Sequence, residues 1–422
     1  MIRPAVHRVL ILTPSSSYRV SDFLQAAARL KAEVVIGTDH TLVMQQFTAD
    51  SLLRLDFGDP ENAASQIVSS HDRKPFHALI GVDESTSLIA ATAARMVALP
   101  HNSPQSIRAA HNKHAMRCAL EDKDLDSPGF HLLRLNDDPK ALSTRVKYPC
   151  VLKPLGLSAS RGVIRVNQPA EFVVAAKRIR GILAQVGKLP LELRDSILTE
   201  DFIPGRELAL EGLLTQGRLE ALALFDKPDP LDGPYFEETL YVTPSRLAPE
   251  VQAAALEATR KACQALGLVT GPVHAELRVN ETGPWLIELA ARSIGGRCSR
   301  SLSFADGMSL EELIIRDALG LPATHAKPDY KASGVMMIPV PGAGILQAVH
   351  GMEAARCTSG VTELVIEPLL GERLVPLPEG DRYLGFIFAR GHTPEAVEAA
   401  LRCAHTKLRF ELKESRSIVL WG

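Results

Sequence analysis

The chain has 422 residues, too many for one typical hydrophobic core, so about three domains are expected. Charged residues make up 23% and hydrophobic residues 46%, an ordinary globular balance, and a formal net charge of −2 provides no basic field for nucleic acid or an anionic membrane. No run approaches the roughly 18 apolar residues that span a bilayer. Six scattered cysteines (118, 150, 263, 298, 357 and 403) show neither a C-x-x-C pair nor a zinc spacing, and are expected to be reduced in a cytoplasmic protein.

The first hundred residues alternate strand and helix signals. VHRVLILTPS reads as a buried strand rather than a signal sequence, because its apolar run is only about five residues long. YRVSDFLQAAARLKA reads as a helix, EVVIGTD as a strand, FHALIGVDE as a strand and STSLIAATAARMVAL as a helix. Short apolar runs alternating with amphipathic helices imply a parallel, doubly wound sheet. Ligands of such sheets collect at the carboxyl ends of strands, where Ser15–Ser17, Asp39 and Asp83-Glu84 fall. No G-x-G-x-x-G follows the first strand, which argues against a dinucleotide site.

From Ser103 a single helix, SPQSIRAAHNKHAMRCALEDK, is predicted, then a Pro/Asp-rich segment, Asp124–Pro128. YPCVLKPLGLSASRGVIRV reads as strand, glycine/serine loop, strand, and a helix follows over Pro169–Val186. Several antiparallel strands run from SILTEDF to LALFDK. Helices are predicted over Leu247–Gly267, Ser309–Leu319 and Thr393–Leu408, and beyond Pro328 the chain is strand-rich.

Between the first two of those helices, runs Val273–Val279 and Trp285–Ala290 flank the turn cluster Asn280–Gly283. A hairpin symmetric about Thr282 directly opposes Glu276 and Glu288 on one face. Two carboxylates so placed repel unless a positive charge lies between them. Either Arg278 and Arg292 pair with them, or they hold Mg²⁺, which takes one or two carboxylates and completes its shell with water and phosphate oxygens. Lys153 ends an apolar strand just before the loop Gly156–Gly162, whose glycines, serines and Arg161 offer donors to an anion. That loop is neither a Walker loop nor a nucleophile elbow. Lys113 lies on a predicted helix, solvated or functional. Thr199–Glu207 is either an edge strand entering a hairpin or an adenine-sized slot walled by Phe202 and Ile203.

Taken in order, Lys113, Lys153 with its loop, Glu200 to Glu207, and Glu276 and Glu288 followed by Arg292 resemble the ATP-grasp superfamily. The resemblance covers most of the chain. It implies an α/β and α+β multidomain fold: an N-terminal preATP-grasp domain over 1–105, the ATP-grasp domain over 106–325 with a lid at about 140–205, and a small β-rich C-terminal domain over 326–422. It also implies that Lys113 and Lys153 bind phosphates and that Ser158, Ser160, Arg161 and Gly162 form a mobile flap. Glu200, Asp201, Phe202, Ile203 and Leu286 would hold adenine, Glu207 the ribose, and Glu276 and Glu288 two Mg²⁺ ions, with Mn²⁺ as a substitute. The superfamily often has Asn two residues after the second metal carboxylate; here Ala290 stands there, so coordination leans on the glutamates, phosphate and water.

Phe236-Glu237-Glu238 with Pro244-Ser-Arg, Gly271-Pro-Val-His-Ala-Glu and Ile287-Glu-Leu-Ala-Ala-Arg-Ser-Ile-Gly-Gly are similar to L-amino-acid ligases that make dipeptides. The implied activity joins two L-amino acids through an acylphosphate, releasing ADP and phosphate. Arg292, Lys153 and Ser160 form the expected catalytic set, and Glu84, Phe236, Glu238, His274, Arg292, Gly295 and Gly296 the expected substrate pocket. The expected partners are ATP and amino acids, not nucleic acid or membrane, and a homodimer is the default assembly. The alternatives are a biotin-carboxylase-like or nucleotide-biosynthesis ligase of the same superfamily, and a non-catalytic ATP-binding module.

Overall fold

A computed structural model of the chain describes residues 6–15, 17, 19–40, 51–187, 189–322 and 327–414; Ser16 lies outside them. The N-terminal strands β1 (Arg8–Leu12), β2 (Glu33–Thr38), β3 (Leu52–Arg54) and β4 (Ala78–Gly81) form a wholly parallel sheet in the order β3-β2-β1-β4. Alternate residues of β1 enter two cores: Val9 and Ile11 one, Leu10 and Leu12 the other. Burial on both faces is why this strand reads as an unbroken apolar run. The short β3, embedded in polar sequence, escaped the pattern reading.

The helix predicted from Ser103 is two helices, Pro104–His111 and Lys113–Glu121. Asn112 leaves helical geometry, and its side chain accepts the backbone N–H groups of His114 and Ala115, restarting the helix. The restart puts Lys113 in the first turn and buries it. A four-stranded sheet follows, overlapping the segment expected as a lid: β5 (Phe130–Arg134), β6 (Cys150–Pro154), β7 (Ile164–Val166) and β8 (Ser196–Asp201), antiparallel in the order β5-β8-β6-β7. The helix Pro169–Gln185 covers it through Phe172, Ile179 and Leu183.

The next strands are β9 (Arg206–Thr215), β10 (Arg218–Lys227), β11 (Leu240–Thr243), β12 (Gly271–Asn280), β13 (Gly283–Ala290) and β14 (Ala332–Ile338). After them come β15 (Gly344–His350), β16 (Val361–Ile366), β17 (Arg373–Leu374), β18 (Gly385–Gly391) and β19 (Arg409–Lys413). One eight-stranded sheet runs β13-β12-β9-β10-β11-β14-β18-β16, and β17-β15-β19 form a separate small sheet. The large sheet is therefore continuous across the boundary expected at residue 325. All six cysteines are free, and no described helix is long and apolar enough to cross a membrane.

On β12 the odd residues Val273, Ala275 and Leu277 pack on the core that includes Ala255 and Ala262 of the helix Pro249–Ala265. The even residues His274, Glu276 and Arg278 face the other way, opposite Glu211, Ala209 and Glu207 of β9. The hairpin is not symmetric about Thr282. Asn280 pairs with Gly283 and Leu277 with Leu286, and then the register shifts so that Glu276 faces Glu288. Ile287 is the extra residue of a β-bulge; a regular ladder of the same length would put Ile287, not Glu288, opposite Glu276. A similar shift at Leu222 brings Lys227 of β10 opposite Glu207.

Candidate active site

A cavity of about 590 Å³ lies where the carboxyl ends of β1 and β4, the β5-β8-β6-β7 sheet and the polar face of the large sheet meet. That size suits a small-molecule site. Glu84, Lys113, Lys153, Ser158, Ser160, Glu200 to Ile203, Glu207, Phe236, Glu238, His274, Glu276, Glu288, Arg292, Gly295 and Gly296 all line it. Of the expected residues, Arg161, Gly162 and Leu286 do not. Leu286 falls outside because the bulge reverses the alternation: it joins the core with Leu277, and Ile287 takes the cavity wall.

Each carboxylate of the opposed pair has its own cation. Lys113 Nζ is 3.1 Å from Glu288, while Lys227 Nζ and His274 Nε2 are 3.5 and 3.6 Å from Glu276. Lys227 is only 2% exposed; it lies 2.9 Å from Glu207 and also donates to Glu238. Burial works against its charge, yet the three carboxylates hold its pKa well above the usual lysine value. Glu207, Glu238 and Glu276 offer oxygens all within 4.8 Å of one another. Burial raises the Glu238 carboxyl, and Glu276 beside it adds to this, so Glu238 is the readier of the two to hold a proton. Such an all-oxygen set, with Glu288 across the hairpin, fits a hard divalent cation.

Lys153 Nζ is 2.6 Å from Glu200, and Arg117 Nε is 2.7 Å from the other oxygen of that carboxylate. Burial opposes ionisation of Glu200, but the two cations outweigh it and bring its pKa down to about 2. Its carboxylate thus anchors Lys153, and only the main chain at Glu200 can meet an adenine ring. Arg117 also donates to the carbonyls of Leu286 and Ile287, clamping the bulge. Glu207, expected on a ribose, is shared between Lys227 and Arg278, the latter at 3.0 Å. Phe202 is covered by Arg165, whose Cζ is 3.8 Å from the ring centre.

The loop between β6 and β7 turns through left-handed residues Ala159, Ser160 and Gly162. At Gly162 (φ 73°) a Cβ would meet Pro154 Cγ at 2.7 Å, so only glycine fits without rearrangement. The loop is tied to the C-terminal region: Gly162 N–H donates to Pro378 O at 2.9 Å, and Arg161 lies 3.2 Å from Asp381.

At the far end, Arg292 donates to Glu84 at 2.8 and 3.2 Å. Burial opposes the Glu84 charge, but Arg292, His111 and Lys113 lower its pKa to about 2. His274 sits between Glu211 (3.2 Å) and Glu276 (3.6 Å). Burial disfavours its protonation, but hydrogen bonds to both carboxylates prevail and raise its pKa to about 9. Tyr241 donates to Glu238 at 2.8 Å. Lys227, Arg117, Glu211 and Tyr241 were not singled out in the sequence. Lys227 had one usable signal, its position opposite Glu207 in a β9–β10 hairpin, but the bulge at Leu222 hides that register.

Residues 146–301 match the ATP-grasp domain, and residues 336–413 match the L-amino acid ligase C-terminal domain 2. The alanine–anticapsin ligase of Bacillus subtilis (strain 168) is 24% identical over 225 residues, 50% of this chain and 47% of that protein. Dapdiamide A synthase of Enterobacter agglomerans is 28% identical over 245 residues, 56% of each. The alignments thus span about half the length of these curated relatives. The crystal structure of the L-amino acid ligase from Bacillus licheniformis superposes with a TM-score of 0.83 at 25% identity, covering 97% of this chain and 99% of that one. The chain thus contains an ATP-grasp domain followed by a domain that matches the L-amino acid ligase C-terminal domain 2, in a fold similar to that of an L-amino acid ligase.

Proposed function

We propose that the protein joins two L-amino acids into a dipeptide at the expense of ATP, in the cytoplasm. The observation that carries this reading is the convergence of Lys113, Lys153, Glu276, Glu288 and Arg292 on one cavity whose wall includes the loop at Ser158–Ser160. In the reaction, a carboxylate oxygen of the first amino acid attacks the γ-phosphorus of ATP, and the bond to the β–γ bridging oxygen breaks to release ADP. The neutral amine of the second amino acid then attacks the acyl carbon, and phosphate leaves as the amide forms and a proton is lost.

Lys113 and Lys153 offset phosphate charge, exchanging or sharing their present partners Glu288 and Glu200 with the nucleotide. Arg292 offers a planar fork to the transferred phosphate or to the first substrate's carboxylate. Glu238 and Glu84 suit an ammonium group of that substrate. Ser158 and Ser160 lie on the loop that closes over the acylphosphate and keeps water from it. Mg²⁺, when bound with the nucleotide, would be held by Glu276 and Glu288 and supplies positive charge to the phosphate oxygens.

The test is phosphate release with ATP and Mg²⁺ across all pairs of the twenty amino acids, with mass detection of products. At least one pair should yield phosphate together with a product lighter than the two amino acids by one water. Phosphate release independent of any amino acid would favour a nucleotide-binding module, and release dependent on bicarbonate a carboxylase.

A further inference from the structure

Resting on that reading, the second substrate poses an electrostatic problem that the residues named so far do not solve. The first amino acid's carboxylate is consumed, but the second keeps its α-carboxylate, charged, throughout the reaction and in the product. A buried carboxylate needs a cation or several donors of its own. Five cations around the site are already paired. Lys113, Lys153, Arg278 and Arg292 have carboxylates at 3.1, 2.6, 3.0 and 2.8 Å, and Lys227 is held by three.

Arg19 differs. It stands just beyond the carboxyl end of β1, at the start of the helix Val20–Arg29, and lines the same cavity. Its side chain is 2% exposed, with the guanidinium packed over Phe23 and its nearest carboxylate, Glu311, at 3.5 Å. Nη2 donates to Ser293 Oγ at 2.7 Å, while Nε and Nη1 are buried with no partner among the described residues. Arg292 Nη1 donates to the carbonyl of the same Ser293 at 3.0 Å, so the two guanidinium groups flank one residue. Beyond it, Gly295 and Gly296 line the wall without side chains. We infer that Arg19 receives the α-carboxylate of the amine-donating amino acid, placing its amine toward the acyl carbon held near Arg292. The N-terminal domain thereby selects free amino acids over amides or amines as the second substrate.

The experiment compares glycine, L-alanine and L-leucine with their carboxamides as second substrates, using the first amino acid found in the pair screen. The native enzyme should prefer the acid over the amide by about 100-fold in kcat/KM, mostly through KM. R19M should reduce that preference to less than about fivefold, and R19K should recover part of it. A native enzyme indifferent to the carboxamide, or an R19M variant that keeps the native preference, overturns the inference. Hydroxamate formation with hydroxylamine in place of the second amino acid is measured alongside. If the native enzyme forms none from any amino acid, the ligase reading itself falls. If R19M loses it in step with dipeptide formation, Arg19 serves the fold and the inference falls alone.

Discussion

Replacing Lys227 with methionine removes the cation shared by Glu207, Glu238 and Glu276 while keeping most of the side-chain volume. Lys227 is 2% exposed and approaches Glu207 and Glu276 to 2.9 and 3.5 Å. At an effective dielectric near 20, each such approach corresponds to about 5 kcal/mol before desolvation is charged against it. Measured losses for breaking a buried pair are about 3–5 kcal/mol, because the abandoned carboxylates stay buried. For a domain-sized transition at about 2–4 °C per kcal/mol, K227M should melt roughly 6–20 °C below the native protein. The deficit should depend on pH in a defined direction. Burial already raises the Glu238 carboxyl, and losing Lys227 raises it further. A carboxyl whose folded pKa exceeds its unfolded value destabilises the fold at high pH and ceases to do so as pH falls through and below both. Thermal scans at pH 7.5 and 5.5, with the native protein in parallel, should show the gap narrowing at the lower pH. A melting temperature within 1 °C of native at pH 7.5, or a gap equal at both pH values, would refute the reasoning.

The protonated His274 bridge stabilises the fold in the opposite sense. Its folded pKa of about 9 exceeds the unfolded value of 6.5, so about 3 kcal/mol is fully present below pH 6.5 and lost as pH rises through 9. The melting advantage over H274Q should shrink between pH 6.5 and 9.5; a constant advantage would count against the bridge. R117M leaves Glu200 with Lys153 alone and strips the bulge carbonyls of their donor, at a cost of about 3–5 kcal/mol in denaturant unfolding; a loss below 1 kcal/mol would contradict this. G162V forces a left-handed backbone on a branched residue against Pro154, about 1–3 kcal/mol of strain, and should raise the KM for ATP and the rate of proteolysis in the 156–162 loop. Native-like values of both would show that the loop accommodates the side chain.

Elements whose signal is local were legible. The alternation of Val273, Ala275 and Leu277 with His274, Glu276 and Arg278 marked the wet and dry faces of β12. The order of lysines, loop and carboxylates pointed to the site that lines one cavity. What escaped depends on pairing between segments. Neither Ile287 nor Leu222 carries a mark of being a bulge, since a bulge is a property of two strands together. The symmetric hairpin assumed from the turn residues therefore gave the right partner for Glu276 but the wrong face for Leu286. Asn112 is a good cap, yet it lies among residues that continue a helix equally well, so the break that buries Lys113 was invisible. Lys227 and Arg19 are ordinary side chains until strands and domains bring three carboxylates to one and Ser293 to the other.

The bulge at Ile287 also sets which kinds of mutation this hairpin can absorb. Many residues at 287 would preserve the count of positions between the turn and Glu288, and so preserve the side on which Glu288 emerges. Deleting that one position would preserve it too, since Glu288 would then follow Leu286 directly and meet Glu276 in a regular ladder; straightening the bulge at full length would instead bring Ile287 opposite Glu276 and turn Glu288 into the apolar layer with Leu277. At this point of the chain the bulge, not the side chain that fills it, keeps both glutamates on one face.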